Sequence, residues 1–188
     1  MLIGRTIALR QVAVEDGELL TIWLNDPEYL GSFYNLDAVS QAGVEHSITS
    51  PQGVDVANYV ITRRESGTPV GRIGSAFPFM PQWAEIFRGL EIWYQVHPEA
   101  RRQGVGSQAA CILINHLFNS RPIERIQATV VVGNDGSCGV LENAGLQRDG
   151  LYRKIFFLNG RYVDMHLYSI VRDDWKDEET YRRGRAEF

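Results

Sequence analysis

Residues 97–110 read HPEARRQGVGSQAA, placing two arginines, a glutamine and a Gly-Val-Gly between a strand-like run and a helix-like run. That combination suits an anion. A helix N-terminus offers unpaired backbone N–H groups and the positive end of the helix dipole. Glycines let the backbone close on a bulky phosphate without Cβ atoms in the way. Arg101 and Arg102 add charge and forked hydrogen-bond donors suited to phosphate. The expectation is a phosphate or pyrophosphate site.

Three ligands compete for it. A nucleoside triphosphate in a Walker loop needs Gly-Lys-Ser/Thr, and no lysine follows Gly106. A dinucleotide is formally compatible, because GVGSQA satisfies Gly-x-Gly-x-x-Gly/Ala and Glu124 lies about 20 residues on. A dinucleotide-binding glycine turn follows its strand directly, however, whereas HPEARRQ intervenes here. Too few strand–helix units follow to complete a doubly wound sheet. Coenzyme A is the third candidate.

The elements that must hold this loop follow from periodicity. Residues 3–12 alternate as a strand, and residues 14–29 carry Leu19, Leu20, Ile22 and Trp23 at helical spacing. A weaker helix spans 36–50 and stops at Pro51-Gln52-Gly53. Residues 56–63 and 70–79 form a hairpin about Ser66-Gly67-Thr68-Pro69, and 77–87 is a long aromatic loop. GLEIWYQV, residues 89–96, is a strong strand. The helix 104–119, the strand 123–132 and the short helix 135–143, capped by Asn134, follow. Strands 147–158 and 161–171 meet at Asn159-Gly160, a strong hairpin signal. The fold class is α+β with a mixed sheet.

Composition bounds the rest. With 188 residues, 44% hydrophobic and 22% charged, the chain has material for one globular domain. A net charge of −4 argues against general attraction to nucleic acid. Two cysteines, Cys111 and Cys138, make no disulfide framework, and MLIGRTIALRQ is broken by Arg5 and Arg10. These point to a cytoplasmic protein that crosses no membrane. The four histidines are scattered without metal-ligand spacing, so no metal is expected.

The motifs in order resemble the GNAT N-acetyltransferases. Arg101-x-x-Gly104-x-Gly106 looks like that family's acyl-CoA pyrophosphate loop. Asn134-x-x-Ser137-x-x-Val140-Leu141-Glu142-Asn143-x-Gly145-Leu146 is similar to its second cofactor-contacting block. NGRYVDMHLYSIVRDDW, residues 159–175, resembles the C-terminal signature of the RimJ/RimL-like branch, which acetylates ribosomal-protein N-termini. The resemblance covers nearly the whole chain. It implies one domain over residues 1–175 with a polar tail at 176–188, and a mostly antiparallel sheet of about seven strands. That sheet would splay between the fourth and fifth strands and carry about four flanking helices.

The resemblance also implies site roles. Acetyl-CoA is the co-substrate; its pantetheine arm lies in the splay against the backbone of Gln95 and Val96, and Asn134 bonds the arm. The N–H groups of Gln103, Gly104, Val105, Gly106 and Ser107 hold the pyrophosphate. Acyl transfer to an amine needs a base, and the resemblance places it at Glu91, on one strand face with Trp93 and Gln95. The competing reading makes Glu91 a solvated strand carboxylate, or one paired with Arg72 or Arg88; Glu85 is a second candidate. Many relatives carry a tyrosine where Leu141 stands, so Ser137 is the nearest matching hydroxyl for the departing sulfur. Ser137 equally suits a helix-start cap, and Tyr152 and Tyr168 suit packing. Cys138 at a helix start has a core-like alternative to reactivity.

Residues 25–36, NDPEYLGSFYNL, read as a mobile acceptor-side loop. Trp23, Tyr29, Phe33 and Tyr34 would wall the pocket with Phe77, Phe79, Trp83 and Phe87. The expected activity is direct acetyl transfer to a primary amine, on a protein N-terminus or a small molecule. A CoA-holding module without turnover is the alternative, and a dinucleotide oxidoreductase a lesser one. Relatives are often dimers, and the sequence leaves a homodimer open.

Overall fold

Residues 1–49, 55–77 and 89–175 are described by the computed structural model. The chain runs β1 (Leu2–Ile3), β2 (Ile7–Gln11), α1 (Gly17–Leu24), α2 (Pro27–Leu30), α3 (Gln41–Thr49), β3 (Asp55–Arg63) and β4 (Pro69–Ala76). It continues through β5 (Gly89–Val96), α4 (Val105–Ser120), β6 (Arg125–Val131), α5 (Asp135–Asn143), β7 (Gln147–Leu158), β8 (Arg161–Val171) and α6 (Arg172–Trp175). One eight-stranded mixed sheet takes the order β1-β2-β3-β4-β5-β6-β8-β7. Among the described residues, only β5 and β6 run parallel.

The strand count exceeds the expected seven because the opening run breaks. Gly4 N–H donates to the Ile7 carbonyl, closing a turn that divides residues 2–11 into β1 and β2. Gln108 of α4 secures that turn, its Oε1 accepting from Thr6 and Ile7 N–H. The single-turn helices α2 and α6 add to the expected four. Asp26 caps α2 by accepting from Glu28 N–H, with Pro27 in the first turn. The loop positions from Phe79 through Arg88, Pro51-Gln52-Gly53 and the tail at 176–188 lie outside the described residues.

The apolar stripe of α4 explains its place. Val105, Ala109, Leu113 and Leu117 are buried against β2, β4 and β5 in the main core. Each such Leu or Val contributes about 1.5–3 kcal/mol by leaving water. Leu20, Trp23, Tyr29 and Val44 form a second cluster joining α1, α2 and α3.

The feature that makes a site is where β5 parts from β6. Their parallel ladder holds Gly89 to Arg125, Leu90 to Ile126 and Glu91 to Gln127, and no further. On the other side, β4 stays paired with β5 as far as Val96, and His97 N–H donates to Val70. Antiparallel alternation therefore turns the backbone of Gln95 toward β4, and that of Tyr94 and Val96 toward the gap.

Candidate active site

The gap opens into a cleft of about 880 Å³ between the end of β5, the start of α4, the start of α5 and the wall formed by residues 28–34. Gln95, Val96, Arg101, Arg102, Gly104, Val105, Gly106, Ser107, Asn134 and Ser137 all line it. Ten of the twelve residues singled out in the sequence thus meet in one place; Gln103 and Glu91 are not on its lining.

The start of α4 is open, without a side-chain cap. Gly104 is the N-cap at φ 75°, a left-handed conformation that favours glycine. The first intrahelical donor is Gln108, bonding Gly104. The N–H groups of Val105, Gly106 and Ser107 therefore have no partner within the helix and face the cleft's end. Gly106 has a further reason to be glycine: a Cβ there would lie 3.0 Å from Val140 Cγ2, so its absence lets α4 approach α5.

The charged side chains of the loop divide. Arg102 is exposed at the cleft, in a left-handed turn at φ 58°. Arg101 donates instead to the carbonyls of Val96, Glu28 and Tyr29. Gln103 bonds away from the cleft, donating to the Glu99 carbonyl and accepting from Arg63.

Asn134 caps α5, its Oδ1 accepting from Ser137 N–H at 3.1 Å. Both the capping geometry and the place on the cleft hold for this block. Leu141 is fully buried in the core. Tyr168 is buried too and donates to Glu142 at 2.9 Å. Burial and the neighbouring Cys138 and Glu142 push its phenol pKa up.

Glu91 sits at the last rung of the β5–β6 ladder. Thr129 Oγ1 donates to its Oε1 at 2.8 Å, and Gln127 Nε2 to its Oε2 at 3.4 Å. Arg72, a competing partner in the sequence reading, reaches Gln95 Oε1 at 2.7 Å and lies 5.0 Å from the Trp93 ring. Arg88 and Glu85 lie outside the described residues.

Tyr94 was missed. It lines the cleft, and its hydroxyl donates to the Ser137 carbonyl at 3.1 Å. Burial pushes its phenol pKa well up, so it keeps its proton. Strand alternation carried the signal: the residues facing α4 are the even-numbered ones, and Tyr94 is the hydroxyl among them.

The wall is more tied down than a mobile loop. Tyr29, Phe33 and Tyr34 line the cleft, while Trp23 lies in the second core and stacks on Tyr29 at 4.9 Å. Asn35 closes the far end, donating to the Phe157 carbonyl and accepting from Asn159 N–H. Among the described residues, no cluster of side chains is arranged to hold a metal, and no helix is long and apolar enough to cross a membrane.

Residues 6–147 match the family model described as "Acetyltransferase (GNAT) domain". The uncharacterized N-acetyltransferase YoaA of Bacillus subtilis (strain 168) is 28% identical over 171 residues, covering 88% of this chain and 93% of that protein. Among solved structures, Mycobacterium smegmatis RimJ in complex with CoA-disulfide superposes with a TM-score of 0.74 at 22% identity. That match covers 94% of this chain and 87% of RimJ. Vibrio cholerae spermidine N-acetyltransferase, in complex with CoA and spermine, has a TM-score of 0.77 at 18% identity. It covers 90% of this chain and 98% of the enzyme.

Proposed function

The chain belongs to the GNAT acetyltransferase family, and from that premise we propose that it moves the acetyl group of acetyl-CoA to a primary amine by direct transfer in a ternary complex. One observation carries the reading: an uncapped helix start and an unpaired strand edge open into the same cleft. The first suits a pyrophosphate. The second suits an extended amide-bearing arm that adds to the sheet as a strand would.

The N–H groups of Val105, Gly106 and Ser107, with Arg102, hold the pyrophosphate. The gap-facing backbone of Tyr94 and Val96 takes the arm, and Asn134 Nδ2 bonds it from the α5 side. The amine nitrogen attacks the thioester carbon and gives its proton to Glu91, directly or through water. The C–N bond forms as the C–S bond breaks, and the electron pair leaves on sulfur as thiolate. Ser137 and Tyr94 supply hydroxyl groups on that side of the cleft.

Two acceptor classes fit: a free protein N-terminus and a small polyamine. RimJ and the spermidine enzyme share the fold, and the aromatic wall at 29–34 bounds the acceptor side. The test is thermal stability with acetyl-CoA, CoA, NAD and NADP in parallel, followed by thiol release with peptides and polyamines. A ligand at roughly 100 times its Kd adds about 2.7 kcal/mol to the folded state. Stabilisation by the coenzyme A pair and acceptor-dependent thiol release are expected. Stabilisation by dinucleotides alone, or binding with no release for any amine, overturns the reading.

A further inference from the structure

Arg101 Nε donates to the Val96 carbonyl at 3.0 Å, and its Nη2 to the Tyr29 and Glu28 carbonyls at 2.7 and 3.1 Å. These bonds use every N–H on Nε and Nη2. Both edges of the guanidinium fork include Nη2, so neither keeps two parallel donors for a phosphate. The three acceptors belong to two separate parts of the cleft. Val96 ends β5 on the gap edge, whereas Glu28 and Tyr29 lie in α2, which leads into the wall. Tyr29 is fixed from beneath by its stack on Trp23, with its hydroxyl 3.5 Å from the Gln95 carbonyl. The far end of the wall is held by Asn35, which bonds Phe157 and Asn159 of the β7–β8 hairpin. Between these anchors, Arg101 joins wall to strand edge through three bonds.

We propose that Arg101 is a positioning residue: it clamps the wall at residues 28–34 to the end of β5 and sets the width of the cleft on the acceptor side. Arg102 and the α4 N–H groups carry the attraction for the anion. The assignment of an acceptor side rests on the acetyltransferase reading; the clamp itself rests on the three bonds.

The experiment compares Arg101→Ala, Arg101→Lys and Arg102→Ala in the full chain. It reads acetyl-CoA affinity at low and high salt, and amide hydrogen exchange across the wall. Lysine keeps the charge but not the fork, so it separates the two roles. Both Arg101 variants should speed exchange at 28–34 by about tenfold or more, with α4 amides unchanged. Both should leave acetyl-CoA Kd within about threefold, with its salt dependence intact. With the amine found by the acceptor screen, acceptor KM should rise about fivefold or more while acetyl-CoA KM stays within about twofold. Arg102→Ala should do the reverse, weakening acetyl-CoA and flattening its salt dependence. Loss of acetyl-CoA affinity in Arg101→Ala that Arg101→Lys restores overturns the proposal, as does unchanged exchange at 28–34. A wild-type chain that binds no acetyl-CoA counts against the acetyltransferase reading instead, and the exchange measurement still decides the clamp.

Discussion

The Tyr94 hydroxyl donates to the Ser137 carbonyl at 3.1 Å, joining β5 to the first turn of α5 beyond the point where β5 leaves β6. Past Glu91, where β5 leaves β6, a side chain thus ties β5 to the helix that follows β6. Its phenol, raised by burial, stays a donor throughout the neutral range.

Tyr94→Phe keeps the ring and removes the donor, taking from the Ser137 carbonyl its bond to β5. The expected stability loss is about 0.5–1.5 kcal/mol, read as a fall in Tm. Turnover should fall further than acetyl-CoA affinity, because the altered group lies on the sulfur side in the proposed pose. Wild-type values for both Tm and turnover would show that the hydroxyl does neither job.

Glu91 is held by Thr129 at 2.8 Å and by Gln127 at 3.4 Å. Glu91→Gln preserves size and keeps an oxygen for Thr129 while removing the base. A fall in kcat of about 100-fold or more is expected, with acetyl-CoA affinity nearly unchanged. Thr129→Val frees the carboxylate from one donor and should give a smaller fall. Full activity in Glu91→Gln removes it from the mechanism.

Local spacing made the uncapped helix start legible. Gly104, Gly106 and the start of α4 are adjacent in sequence, and a helix start needs no distant partner to present its N–H groups. Asn134 and Ser137 were readable for the same reason, since a cap acts three residues on. Tyr94 was not, because its role depends on where the β5–β6 ladder ends. The bonds of Arg101 to Glu28 and Tyr29 were not legible either, because those partners lie more than seventy positions upstream. Likewise the break between β1 and β2 depends on Gln108, more than a hundred residues downstream. Periodicity reports which face is buried, and it says nothing of which carbonyl a long side chain will meet.

Acid should weaken the second core's attachment. Burial opposes ionisation of Asp16, but bonds from Arg10 and the Ala13 N–H and the charge of Arg10 outweigh it, holding its carboxyl below the ordinary 3.8. A depressed folded pKa gives stabilisation that is present above 3.8 and lost as the pH falls through the lower folded value. Asp16→Asn should lower Tm at neutral pH by the equivalent of about 1–2 kcal/mol, after allowing for solvent screening of the exposed Arg10. It should also flatten the loss of stability as the pH falls below about 4. Parallel pH–Tm curves for the variant and the wild type would refute this.

Gly106 separates two demands that sequence reading merges, approach to a phosphate and approach to α5. A Cβ at Gly106 meets Val140 Cγ2 at 3.0 Å and Val96 Cγ2 at 3.6 Å, so the tight contact is with α5. Gly106→Ala should therefore destabilise the free protein by about 1–3 kcal/mol, because well-packed neighbours must shift. Val140→Ala removes the opposing methyl groups, and the double variant should recover part of the loss in a double-mutant cycle on Tm. Acetyl-CoA affinity supplies the second readout. If α4–α5 packing is the main constraint, affinity should recover with stability in the double variant. If affinity stays low while Tm recovers, the added methyl group obstructs the phosphate itself, and the glycine serves the ligand rather than the helix contact.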